Sequence, residues 1–206
     1  MTTPLNFAIR NVEDTDVLLK VIKILTDFGA DVNFRDSRGK LPIFEAVNWS
    51  ESIVVKHLLD NGTKTDSRDS DGWTPLHSAI KVGDLDLVKL LLEYGSDTTS
   101  RTNAGDSPII FAASYYSAEI VEELLKAGAR ANDSNCEEFS ALHLAVRNEN
   151  LDIVRVLLEY GADINFDIHR YDSLLFRAIE IGNIVSSNCC LTMGQTLTLR
   201  TSLDIH

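Results

Sequence analysis

Asp71-Gly72-Trp73-Thr74-Pro75-Leu76-His77-Ser78-Ala79 opens a unit that Leu91-Leu92-Glu93-Tyr94-Gly95 closes. Gly72 suits a tight turn, Thr74 a helix cap, and Pro75 the first helical position, where its missing N–H costs nothing. Leu76, Ala79 and Ile80 then fall on one helical face. Gly83-Asp84 interrupts that helix and offers Asp84 as the cap of a second one. Leu87, Val88, Leu90, Leu91 and Leu92 make the second helix apolar, and Gly95 ends it. The stretch predicts a turn, two helices and a glycine stop.

The same elements recur on both sides. Gly29, Gly62, Gly95, Gly128, Gly161 and Gly194 stand 33 residues apart, and Pro42, Pro75 and Pro108 keep that interval, with Pro4 opening a similar segment. A glycine in each unit supplies a left-handed turn at no steric cost. One unit of this size cannot bury its own apolar faces, so stability is expected to come from the interfaces between neighbours.

This unit resembles the ankyrin repeat, whose signature includes Thr-Pro-Leu-His-x-Ala. The resemblance covers roughly residues 2–184 and implies an all-α ankyrin-repeat solenoid of helix-turn-helix units joined by β-hairpin-like turns. Units are expected at about 2–35, 36–68, 69–101, 102–134 and 135–167, with a partial one at 168–184, all within a domain spanning 1–184. The first unit is about five residues longer than the rest, and the surplus is expected in its first helix or loop, around Asn11–Asp16. Leu41-Pro42-Ile43-Phe44, Ser107-Pro108-Ile109-Ile110 and Ser140-Ala141-Leu142-His143 replace the signature tetrapeptide in the second, fourth and fifth units.

Residues 185–206 do not continue the pattern. Where a second helix is due, the chain reads Val185-Ser186-Ser187-Asn188-Cys189-Cys190-Leu191-Thr192-Met193-Gly194. Taking the last base of each codon with the first two of the next, Met193 and Gly194 force a glycine codon at the expected place. The same shift permits Leu-Leu-Leu-Asp-Asn before that glycine and Ala-Asp-Val-Asn after it. The tail therefore resembles a frameshifted ankyrin repeat and is expected to be a poorly ordered, non-repeat segment. It is also expected to leave the second helix of the fifth unit partly uncovered. On that reading the chain is alternatively the ankyrin segment of a longer channel, kinase or ubiquitin-ligase adaptor, truncated by a frameshift or by alternative splicing.

Composition narrows the function classes. A hydrophobic content of 44% is enough to build a core. A net charge of −12 argues against nucleic-acid binding, which needs cations to neutralise phosphates, and against anionic membrane surfaces. No apolar run is long enough to span a bilayer, so no membrane insertion is expected. Cys136, Cys189 and Cys190 form no disulfide framework and no zinc-site spacing. A reducing cytoplasmic or nuclear setting is expected.

No Ser or Cys pairs with a His in a nucleophile motif, and no glycine-rich phosphate loop occurs. The chain is therefore expected to be no enzyme and to take no cofactor or metal. His77 and His143 occupy the family's histidine position, where the resemblance implies a structural bond to a neighbouring turn. Asp31, Asp97 and Asp163 repeat with the unit and read as turn or capping residues.

What varies between units is the surface that the resemblance makes a concave binding face, namely the turn tips and the exposed side of each first helix. Those positions are Arg38, Lys40 and Trp49 in the second unit, and Asp71, Trp73 and Lys81 in the third. Tyr115 and Tyr116 follow in the fourth, where a glycine is usual at the latter, and Phe139 and Arg147 in the fifth. Aromatic side chains and arginine dominate interface hot spots, so these ten residues are the candidates for contact with a protein partner. The plainer alternative is that Trp73 covers the preceding turn and Tyr116 packs on a second helix. A monomer is expected.

Overall fold

The computed structural model describes residues 2–115 and 117–165. The expectations for Tyr116, for the partial unit at 168–184 and for the tail at 185–206 fall outside those residues.

Among the described residues, ten helices form five pairs. The pairs are α1 (Pro4–Asn11) with α2 (Thr15–Asp27), α3 (Pro42–Asn48) with α4 (Ser52–Asp60), and α5 (Pro75–Val82) with α6 (Leu85–Glu93). They continue with α7 (Pro108–Ser114) and α8 (Ala118–Lys126), then α9 (Ala141–Arg147) and α10 (Leu151–Glu159). Odd-numbered helices pack on one another in one row, even-numbered helices in a second, and each helix also packs on its own partner. The core runs unbroken between the rows through Leu18, Ile43, Leu58, Leu76, Leu87, Ile109, Ile120 and Leu157.

Local chemistry explains the helix bounds. Proline stands at the first position of α1, α3, α5 and α7. Asp14, Asp84, Ser117 and Asn150 each accept a backbone N–H three residues on, from Val17, Leu87, Ile120 and Ile153. The surplus of the first unit does not sit where the sequence suggested. It mostly lengthens the second helix, since α2 has 13 residues where α4, α6, α8 and α10 have 9. Asp14 caps the extended helix, and Thr15-Asp16-Val17-Leu18 is as compatible with a first helical turn as with a loop.

The turns between units repeat a single device. One residue closes each four-residue tip by its backbone, with Asp36 N–H donating to the Lys40 carbonyl (2.9 Å), Asp69 to Trp73 (3.0 Å), Thr102 to Asp106 (2.9 Å) and Asn135 to Phe139 (3.0 Å). The side-chain oxygen of the same residue accepts two N–H groups within the tip, as Asp69 does from Asp71 and Trp73. Sheet structure is confined to an isolated bridge between Ser134 and Ser140 among the described residues. Asp31, Asp97 and Asp163 accept the N–H of Asn33, Thr99 and Asn165, so their reading as turn residues holds.

An arginine ladder staples successive turns. Arg35 donates to the carbonyls of Gly39 (2.9 Å) and Arg68 (2.7 Å), Arg68 to Gly72 (3.0 Å) and Arg101, and Arg101 to Gly105 (2.7 Å) and Ser134 (2.6 Å). Each guanidinium thus ties its own tip to the start of the next. The run stops at Ser134, which holds the arginine position in the fifth unit.

One polar position is poorly served. Thr63 and Ser96 follow the glycine stop where Ala30, Ala129 and Ala162 stand in other units, and both hydroxyls are buried with no hydrogen-bond partner among the described residues. Thr63→Ala and Ser96→Ala should each raise stability by about 1 kcal/mol, because an orphaned buried hydroxyl is costly. Urea unfolding of the two variants checks this, and a loss of stability in both would contradict it.

Candidate functional site

The capping position of each first helix determines how its histidine is used. In α5, Thr74 N–H donates to His77 Nδ1 (3.2 Å), and the Thr74 hydroxyl lies 2.9 Å from the same nitrogen. That leaves Nε2 to donate to the Asp106 carbonyl at 3.3 Å, in the tip of the next unit. Burial holds the imidazole neutral and lowers its pKa to about 4; the Arg68 charge adds to this, against the bond to the Asp106 carbonyl. In α9, Ser140 and His143 repeat the local part, with Ser140 N–H 3.3 Å from His143 Nδ1. Both histidines are therefore helix-start groups, and His77 also links its unit to the next turn, as the resemblance implied.

Around His77 lies an aromatic row that crosses from one unit to the next. The rings of Trp73 and Phe111 meet edge to face at 5.0 Å, Phe111 meets His77 at 5.5 Å, and Phe111 and Tyr115 tilt together at 4.7 Å. Lys81 places its ammonium 4.5 Å over the Trp73 ring. Trp73 is half-buried, whereas Tyr115 is 42% exposed and Lys81 is exposed. The fifth unit repeats the arrangement with different residues, as Arg147 lies 5.4 Å over the Phe139 ring and Phe139 approaches His143 at 6.3 Å. Trp73 and Phe139 are equivalent positions, and so are Lys81 and Arg147.

Of the ten candidate residues, the structure brings Trp73, Lys81 and Tyr115 into one cluster, and Phe139 and Arg147 into a second. Asp71 stands exposed at the tip beside Trp73, and its carbonyl accepts Asn103 N–H of the next tip at 3.0 Å. Arg38 and Lys40 sit on the second tip, where both backbone N–H groups bind Asp36 Oδ1 and the Arg38 guanidinium lies 3.7 Å from Asp36. Trp49 caps the end of α3 and is 61% exposed. Among the described residues its ring joins neither cluster. Tyr116 lies outside the described residues.

Phe111 is the residue the sequence reading passed over. It holds the row together yet sits in Ile109-Ile110-Phe111-Ala112, which reads as core. The signal was available, since it takes the x position of the Thr-Pro-Leu-His-x-Ala signature. Glu45, at the same position in α3, also contacts the unit before it, by pairing with Arg10.

Beyond Asp71, Asp106 and Glu137 on the tips, much of the negative charge lies on the second helices, away from this row. Asp60, Asp86, Glu93, Glu119, Glu122, Asp152 and Glu159 all lie on the second helices. No group of three or more potential metal ligands occurs among the described residues, and no described helix is long and apolar enough to cross a membrane. The chain matches the family model for ankyrin repeats in three copies, over residues 5–102 and again over 96–168. Comparison with curated proteins finds no match.

Proposed function

The chain belongs to the ankyrin-repeat family, whose repeats are generally protein-protein interaction modules, and from that premise we propose that it is a non-enzymatic module binding a protein partner on the face formed by its tips and first helices. The observation that carries this reading is the row Trp73–Phe111–Tyr115 with Lys81, which spans two units and keeps one aromatic edge and one cation in solvent. Rigid aromatics held by their neighbours lose little entropy on contact, and tryptophan, tyrosine and arginine are the usual anchors of interfaces. Phe139 with Arg147 extends the same face into the fifth unit, and Asp71, Arg38, Lys40 and Trp49 form its rim toward the second. The partner is a protein and not a nucleic acid, because the cations here are few and interleaved with Asp71, Asp106 and Glu137. The free, exposed Cys136 supports a reducing compartment, cytoplasmic or nuclear.

A photo-crosslinking residue placed at position 115 or 147 of the full chain tests the reading in cells. Discrete adducts of defined mass are expected from those two positions and not from positions 93 and 122 on the second helices. Adducts from positions 93 and 122 alone would overturn it.

A further inference from the structure

Each unit after the first turns a defined side of its helices toward the unit before it. In the row of first helices, Glu45 pairs with Arg10, and Phe111 packs on Trp73 and His77. In the row of second helices, His57 Nε2 lies 2.9 Å from Thr26 Oγ1, and the Tyr94 hydroxyl, at the end of α6, donates to Asp60. Aligned on Pro4 and Gly29, the equivalent positions of the first unit are Phe7, Ile24 and Phe28. No earlier unit covers them among the described residues, and they are 62%, 57% and 90% exposed.

Along α2 the exposed Val17, Ile24 and Phe28 and the half-buried Val21 form an apolar stripe beside the exposed Lys20, Lys23 and Asp27. Val17, Val21, Ile24 and Phe28 follow one another at intervals that place them on one side of the helix. Thr15 and Thr26 lie on the opposite side, where they reach Glu51, the residue before α4, and His57 within it. A solenoid face that no neighbouring unit covers needs to be polar to stay soluble. Here the order is inverted, with the polar Glu45 and His57 at half-buried positions against the first unit and Phe7, Ile24 and Phe28 at open ones.

We propose that a second copy of this chain covers this end, α2 against α2 about a two-fold axis near Ile24. Charge selects the occupant. Lys20 and Asp27 are both exposed and lie along the same edge of the stripe, seven residues and so about two turns apart. Antiparallel pairing of two identical helices sets Lys20 of each copy opposite Asp27 of the other, which forms two ion pairs from one patch. Such an interface is self-complementary and closes at two copies. It departs from the monomer expected from sequence. A helix of 13 residues is about 20 Å long, so the contact is smaller than the roughly 800 Å² per partner of a standard interface, and a Kd on the order of tens of micromolar is expected.

Sedimentation velocity on the full chain, from about 1 to about 200 µM, reads this directly. The wild type should shift from monomer to dimer across that range. Ile24→Glu combined with Phe28→Glu should hold it monomeric, with an unchanged circular dichroism spectrum because both side chains are exposed. Lys20→Asp and Asp27→Lys should each weaken the dimer about tenfold, and the two together should restore it to within about threefold. A wild type that stays monomeric throughout overturns the second-copy assignment and leaves this face to a different chain. A dimer that the apolar pair of substitutions does not disturb, or that the charge exchange does not restore, overturns it as well.

Discussion

Gly72→Ala is expected to destabilise the fold by about 3 kcal/mol, against about 1 kcal/mol for Gly62→Ala. Both glycines have left-handed φ, +76° and +81°, so any side chain costs backbone strain at either position. The difference lies in what a Cβ would meet. At Gly62 there is nothing within 4 Å, whereas at Gly72 it would come within 2.9 Å of the Asn103 backbone nitrogen in the next tip. That approach is not idle. Asn103 N–H donates to the Asp71 carbonyl at 3.0 Å, and its side-chain amide donates to the Ser70 carbonyl at 3.0 Å. Relieving the overlap means separating two tips that are hydrogen-bonded to each other, on either side of the glycine. Gly105 faces the Cys136 backbone nitrogen in the same way, at 3.0 Å, and Gly105→Ala should behave like Gly72→Ala. Urea unfolding of the full chain measures the three effects. Similar losses at positions 62 and 72 would show that the close approach of the tips contributes nothing.

The second large effect is with pH. The folded His77 stays neutral until about pH 4, whereas the unfolded side chain takes a proton near 6.5. Between those values the unfolded state binds more protons, so stability is fully present above about pH 6.5 and falls as pH drops toward 4. At about 1.4 kcal/mol for each pH unit of difference, the loss attributable to this residue is about 3 kcal/mol. His77→Gln keeps a polar group that can reach back to the Thr74 N–H but removes the titration. The variant should be less stable than wild type at pH 7.5 and should lose markedly less on acidification to pH 4.5. Parallel stability curves for the two proteins would contradict the assignment. The added proton goes to Nδ1, which then no longer accepts the Thr74 N–H, whereas Nε2 keeps its bond to the Asp106 carbonyl of the fourth unit.

How far the chain could be read in advance depended on whether a position repeats. Pro42, Pro75, Pro108 and the glycine stops recur at one interval, and the helices begin and end where they indicate. Arg35, Arg68 and Arg101 recur at that same interval, yet an arginine in a polar stretch looks like any solvated cation until its acceptors are known. Those acceptors are backbone carbonyls of the same tip and of the start of the next, which carry no sequence signature. The longer α2 was misplaced for a related reason, since Val12–Asp16 suits a loop or a helix start and only the Asp14 cap decides between them. At Ser50, Glu138 and Glu149 the backbone takes positive φ without glycine, so the turns persist where their marker is missing. Neighbouring tips and helices over-determine the conformation there. On the face proposed to bind a partner, exposure of Tyr115 and Lys81 followed from register. The central role of Phe111 was harder to see, because an apolar residue in an apolar helix reads as core unless its x position in the signature is followed from unit to unit.

The central claim is that the face carrying Trp73, Phe111 and Tyr115 binds a protein partner. Quantitative affinity capture from cells, using the full chain, tests it most directly when three baits are compared. They are the wild type, a variant with Trp73→Ala and Tyr115→Ala, and a control with Glu93→Ala and Glu122→Ala on the second helices. All three should show the same helical circular dichroism. The account predicts a set of proteins recovered equally by wild type and control and reduced at least about tenfold with the aromatic variant. Recovery that is unchanged by the aromatic substitutions, or lost only in the control, would contradict it.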